Sequence, residues 1–162
     1  APGPSGNPDH GADKFTWAVF LLAGDPADPA QRAAYHPGTN EHGAWLSSPD
    51  NAATDPTGRL WIATDQGGRQ KRNGVPEGLY GMDASGPGCA LPRLIYAGPV
   101  GSEICGPEFT PDGRTLFLAV QHPGEGSSFD KPTTRWPDFE PTRPPRAAVV
   151  VITKKDGGVI GS

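Results

Sequence analysis

Two carboxylates and one amide draw attention through their place in a repeat. Asp50 and Asn51 open the stretch SPDNAATDPTGRLWIATD, and Glu103 stands just ahead of GPEFTPDGRTLFLAVQ. Aligning Asp-Pro-Thr-Gly-Arg with Thr-Pro-Asp-Gly-Arg sets Gly58 on Gly113, a period of 55 residues. Each copy reads as a short strand, a Pro-x-Gly hairpin turn and a β-branched or aromatic strand. If turns alternate between the ends of a meander, the two hairpins mark one end. Asp50, Asn51, Asp65, Glu103 and the segment from Gln121 through His122 to Glu125 then gather at the other. Carboxylates and an amide oxygen converging there suit a hard cation such as calcium, which takes about six to eight oxygen ligands. Asp-Asn before a strand also serves simply to cap a turn, and on spacing alone this plainer reading is the stronger. Asp65 reads either as a group behind the ligands or as a mere strand end.

Stepping out to the elements, the 162 residues include 23 glycines and 20 prolines, over a quarter of the chain. That fraction approaches disordered composition. The net charge of −4 is too small for the disorder signature, and the apolar residues cluster in short β-rich runs. A loop-rich all-β fold is expected. The 55-residue period lies in or just above the range of β-propeller blades. Gly78 to Asp83 and Pro92 to Ala97 supply third and fourth strands for the first copy. Ala147 to Thr153 follows the second, behind a Pro-rich loop from Gly124 to Pro145. Phe15 to Leu22 (FTWAVFLL) reads as a buried strand of a preceding blade, and Asp28 to Tyr35 as one short helix capped by Asp28. A closed propeller needs about four to eight blades. The expectation is therefore an incomplete propeller: residues 1–14 a loop or disordered segment, and 15–162 the C-terminal blades of a longer ring. An obligate oligomer, or blades completed by another chain, are the alternatives. The first strand of a blade is innermost, which sets Asp50, Asn51 and Glu103 nearest the axis.

Other features define what the chain is not expected to do. A pI near 5.5 without a basic patch argues against nucleic acid. No run reaches the roughly 18 apolar residues of a membrane span, and no signal peptide is read between Ala1 and His10. Cys89 and Cys105 have no zinc spacing, and the strand between them speaks against a disulfide. His36, Glu41 and His42 form a conceivable metal triad, but a surface loop is preferred. Trp17 and Trp61 are expected to pack between sheets. Trp136 either lines a substrate rim or packs its own loop, and Arg135, Arg143 and Arg146 are loop arginines with a smaller claim to phosphate.

The segments WAVFLLAGDP, SPDN with DPTGRLWIATD, GPVGSEICGPEFTPDGRTLFLAVQHPGE and RAAVVVITKKDGGVIGS resemble the PhoX-type alkaline phosphatases, in that family's order. The resemblance implies a β-propeller, export to the periplasm or the extracellular space, and hydrolysis of phosphomonoesters at a calcium and iron cluster in the pore mouth. It implies that Asp50 and Asn51 of the Pro-Asp-Asn motif and Glu103 after Gly-Pro-Val-Gly bind calcium. Gln121, His122 and Glu125 match the Gln-His-Pro-Gly-Glu segment at the same rim. The iron ligands would come from earlier blades outside this chain, and Cys105 reads as a small buried thiol. The rival functions are a calcium-dependent lactonase or esterase propeller and a non-enzymatic propeller module that binds sugar or protein.

Overall fold

A computed structural model describes residues 9–39 and 44–162. Seven strands form two antiparallel sheets. The first has the order β1 (Pro49–Thr54), β2 (Leu60–Thr64), β3 (Gly78–Met82) and β4 (Arg93–Ala97). The second has the order β5 (Glu103–Phe109), β6 (Thr115–Gln121) and β7 (Ala148–Thr153). One four-residue helix, α1 (Gln70–Asn73), sits in the connection between β2 and β3. The expected all-β class holds. Every connection within a sheet joins neighbours, so both sheets are simple meanders.

Period-2 patterning explains which faces meet. On β2 and β3, Trp61, Ala63 and Leu79 turn toward the second sheet and bury against Ile104, Leu116, Leu118 and Val120, with Ile160 from the C-terminal turn. The intervening Ile62, Tyr80 and Met82 bury on the opposite face, under Leu46, Leu21 and Tyr35. β2 and β3 are thus covered on both sides and read as near-continuous apolar runs. On β7, by contrast, Val149 and Val151 are exposed, as is Phe117 on β6. The outer face of the second sheet is apolar and uncovered among the described residues.

The N-terminal expectation fails in a physically simple way. Phe15 to Leu22 forms no strand, and Phe15 and Trp17 are 79% and 77% exposed. Its one sheet-like contact is an isolated bridge between Leu22 and Ala34. An apolar β-rich run becomes a strand only where a neighbouring strand takes its N–H and C=O groups, and none lies beside it here. Trp17 therefore packs between no sheets, whereas Trp61 does, with its ring 5.0 Å from that of Phe109. The short helix is also smaller than expected. It is a single 3-10 turn, Pro29–Gln31, although Asp28 caps it as anticipated by accepting from the Ala30 N–H. Tyr35 fastens the covering segment, donating to the Leu46 carbonyl at 2.8 Å and accepting from the Gly24 N–H at 2.9 Å.

The two hairpins solve one turn in two ways. Gly58 and Gly113 adopt φ of 86° and 67°, a left-handed conformation that glycine enters without a Cβ penalty. In the first hairpin the carboxylate leads. Asp55 accepts from the Thr57 N–H and hydroxyl, the Arg59 N–H and, at 3.0 Å, the indole Nε1–H of Trp61. In the second it stands two places later, where Asp112 accepts from Thr110 and the Arg114 N–H. Leu116 occupies the place of Trp61 and has no donor to satisfy. Burial pushes the Asp55 carboxyl up, but the donors from Thr57, Trp61 and Arg59 outweigh it and hold it below the usual carboxylate range. Its stabilising contribution is accordingly full above the unfolded-state value near ~3.9 and is lost as pH falls through the lower folded value. Asp55→Ala is expected to lower stability by about 2–3 kcal/mol at neutral pH by stranding buried donors. In urea melts across pH 2 to 7, Asp55→Asn should flatten the acid limb that the native chain shows.

Candidate functional site

Strand register decides which ends coincide. Pro49 pairs with Thr64 and Glu103 with Gln121, so Asp50, Asn51 and Asp65 share one end of the first sheet, and Glu103, Gln121 and His122 share one end of the second. The hairpins lie together at the opposite end, where a Cβ on Gly113 would come within 3.7 Å of Pro56. The sheets are joined at the near end by Asn51, whose Oδ1 accepts the Gly106 N–H at 2.9 Å. These two positions are one 55-residue period apart, so equivalent places in the repeat face each other across the seam.

The Asp50–Asn51 pair does not cap a turn. Asp50 accepts from the Asn51 amide at 2.6 Å and makes no other hydrogen bond among the described residues. Glu103 is held more firmly. Gln121 Nε2 donates to its Oε1 at 3.0 Å, and His122 Nε2 lies 3.3 Å from its Oε2. His122 in turn stands 3.3 Å from the Gly101 carbonyl and 3.7 Å from Glu125. Burial works against the charged imidazole, but the Gly101 carbonyl, Glu103 and Glu125 outweigh it and raise its pKa above the ordinary histidine value. Two non-glycine residues at this rim occupy the left-handed region, Ser48 at φ 54° and His122 at φ 33°. Such backbone strain gathers at sites whose surroundings over-determine them.

Asp50 and Glu103 do not touch. Glu103 lies three residues from Gly106 along β5, roughly 10 Å at ~3.3 Å per residue. Among the described residues, no three of the His, Cys, Asp and Glu side chains are gathered as a metal cage. Asp65 ends its strand and accepts from the Gly67 N–H in a local turn. Cys105 is half-buried and not the enclosed thiol expected. Gln121 Nε2 lies 3.1 Å from its Sγ, because residues 103 and 105 share one face of the strand. Both cysteines are free, as their spacing implied.

The loop candidates resolve toward packing. Arg146 makes a bidentate pair with Asp138 at 2.8 and 2.9 Å, and Arg143 pairs with Glu140 at 3.0 Å. Arg135 donates to the Arg143 and Phe129 carbonyls. These guanidinium groups hold their own loop and are not aimed at a phosphate. Trp136 packs against the inter-sheet core. His36 accepts the Gly38 N–H in a local turn, and its two expected companions, Glu41 and His42, lie outside the described residues.

Sequence reading missed Glu77, which is 2% exposed behind the rim. Its carboxyl accepts from the Thr64 hydroxyl and the Gln66 N–H, both at 2.5 Å, and from Gln70 Nε2 at 3.0 Å. Gln70 Nε2 also reaches the Ser102 carbonyl at 3.3 Å, tying the β2–β3 connection to the residue before Glu103. The available signal was two glutamines, at 66 and 70, upstream of a glutamate inside a loop, a pattern too common to single out. Burial raises the Glu77 pKa, and the Thr64 and Gln66 bonds only partly oppose it. Its contribution to stability is thus full below the unfolded-state value near ~4.3 and declines as pH rises through the raised folded value. Glu77→Ala is expected to cost about 3 kcal/mol by stranding these donors. In denaturant titrations at several pH values, the stability gap between the native chain and Glu77→Gln should narrow as pH rises.

The geometry can now be set beside known proteins. The chain matches the family described as alkaline phosphatase PhoX over residues 4–124. It is also similar to a solved Pseudomonas fluorescens PhoX in complex with vanadate, a transition state analogue, with 31% sequence identity and a TM-score of 0.71. The likeness covers 88% of this chain and 24% of that one, so the chain spans about a quarter of that relative's length. No curated protein matches it. A match over most of the chain, with the motifs in order and the fold shared, establishes that this chain belongs to the PhoX alkaline phosphatase family.

Proposed function

We propose that this chain forms C-terminal blades of a β-propeller phosphatase that hydrolyses phosphomonoesters at a calcium and iron cluster. The observation that carries the reading is the family match over residues 4–124, which includes Asp50, Asn51, Glu103, Gln121 and His122. The two meanders have the strand order of blades and pack face to face, and the second presents an uncovered apolar face on which a further blade would fit. The vanadate of the P. fluorescens protein stands in for a transferring phosphoryl group, which agrees with this chemistry. By the same family reading the whole protein works in the periplasm or outside the cell. Among the described residues no helix is long and apolar enough to cross a membrane.

The residues at the rim fit part of a hard-cation shell. Asp50 is exposed and keeps one carboxylate oxygen free, while Asn51 orients it by donating to the other. Glu103 is positioned by Gln121 and His122 before any ligand arrives. Oxygen donors of this kind suit calcium, whose shell takes about six to eight of them, so most of the shell lies outside these three residues. No thiolate stands with them except Cys105, which Gln121 contacts, so iron is assigned to ligands elsewhere in the whole protein. When bound, such a cluster neutralises a phosphate dianion and stabilises the leaving oxygen. Without it, a carboxylate-lined rim repels phosphate.

The test is to assay the whole protein with an aryl phosphate and a lactone, with and without calcium and iron. Metal-dependent phosphatase turnover is expected, and Glu103→Ala should lower it by roughly a hundredfold or more. Lactone turnover alone would overturn the reading in favour of a lactonase, and neither activity would favour a binding module. The 162 residues by themselves, supplied with both metals, are expected to show no phosphatase turnover. Turnover near that of the whole protein would mean that the site is complete in these two sheets.

A further inference from the structure

At the hairpin end, away from the proposed metal rim, a cavity of about 360 Å³ opens beside Trp61. Arg59, at the start of β2, and Arg93, at the start of β4, stand on its wall with Asp83, and Leu91 and Ile95 add apolar surface. Arg59 spends Nε on Asp83 at 3.1 Å. Its Nη1 is buried without any hydrogen-bond partner, and Nη2 makes no hydrogen bond among the described residues. Arg93 has neither a hydrogen bond nor an ion pair among the described residues. Two guanidinium groups thus face one carboxylate.

A buried guanidinium nitrogen without an acceptor is costly, and such orphans are rare enough to call for a missing partner. Here the missing partner must be an acceptor, because guanidinium donates only. The unbalanced positive charge favours an anion over water. The volume lies at the lower end of small-molecule sites, which are mostly apolar with a few placed polar groups. The indole of Trp61 with Leu91 and Ile95 supplies that apolar part. Arg114, which holds the place of Arg59 in the second repeat, is exposed and lines no such cavity, so the feature is not a by-product of the turn.

We propose that this cavity binds a small organic oxyanion: an apolar ring or short chain carrying one carboxylate or phosphate group. The charged head pairs with Arg59 and Arg93, and the body lies along Trp61, Leu91 and Ile95. The site is independent of the phosphatase reading, since it sits at the other end of the sheets and needs no metal.

The experiment is calorimetric titration of the chelator-treated chain with benzoate, phenyl phosphate and inorganic phosphate, with saturation-transfer NMR on the two ring-bearing anions. Saturable binding of at least one ring-bearing anion is expected, and inorganic phosphate should bind roughly tenfold more weakly because it leaves the apolar wall uncovered. Whichever of the two binds more tightly identifies the head group. Arg93→Ala, at an exposed strand position, and Arg59→Gln should each weaken binding by roughly tenfold, while Arg114→Ala leaves it unchanged. Circular dichroism confirms that each variant is folded. Absence of saturable binding, binding that a folded Arg93→Ala leaves intact, or inorganic phosphate binding as tightly as phenyl phosphate would each overturn the proposal.

Discussion

Everything at the rim depends on the burial of one sheet face against another. Trp61, Ala63 and Leu79 meet Ile104, Leu116, Leu118 and Val120 across the seam, and each such side chain contributes about 1.5–3 kcal/mol when fully buried. The seam also fixes how the sheets slide past each other. Only with this alignment does Asn51 reach the Gly106 N–H one repeat away, and only then do the strand starts of both sheets present their carboxylates at one end. A slip of one residue on either strand would turn the apolar set outward, so the register has little freedom.

Two buried carboxyls brace this arrangement from opposite ends, and their environments push them in opposite directions. Asp55 sits in a hairpin turn surrounded by N–H and O–H donors, which favour its charged form. Glu77 lies deeper, where the loss of water outweighs its hydrogen bonds and favours the neutral form. Asp55 locks the Trp61 indole and therefore the seam. Glu77, through Gln70, holds the Ser102 carbonyl and therefore the approach to β5.

The face of the second sheet that carries Phe117, Val149 and Val151 bears on the family assignment. Exposed apolar residues on one sheet face commonly mark a surface meant to be covered. Since the chain spans about a quarter of the P. fluorescens relative, a covering blade is available in proteins of that length. Phe15 to Leu22 shows the same logic from the other direction. Its residues have strand chemistry, yet it stays exposed beside no partner strand.

How much was legible in the chain follows from the range of the interactions concerned. The all-β class, the 55-residue repeat, both Pro-x-Gly hairpins and the Asp28 cap rest on neighbours a few residues apart, and local chemistry alone specifies them. The grouping of Asp50, Asp65, Glu103 and Gln121 by sheet end was also legible, because meander turns alternate. Three things were decided only in the folded molecule. Whether an apolar run becomes a strand depends on a partner strand, so Phe15 to Leu22 could not be settled from its own residues. Which carboxylate is buried depends on loops crossing above it, so Glu77 looked like any loop glutamate until Gln66, Gln70 and Thr64 closed around it. The spending of Arg135, Arg143 and Arg146 on their own loop, and the solitude of Arg59 beside Trp61, likewise depend on contacts made after the chain has turned back on itself. Sequence determines the local geometry and the chemistry each residue can offer. Tertiary packing decides which of those offers finds a partner, because desolvation and hydrogen bonding act between groups that only the fold brings together.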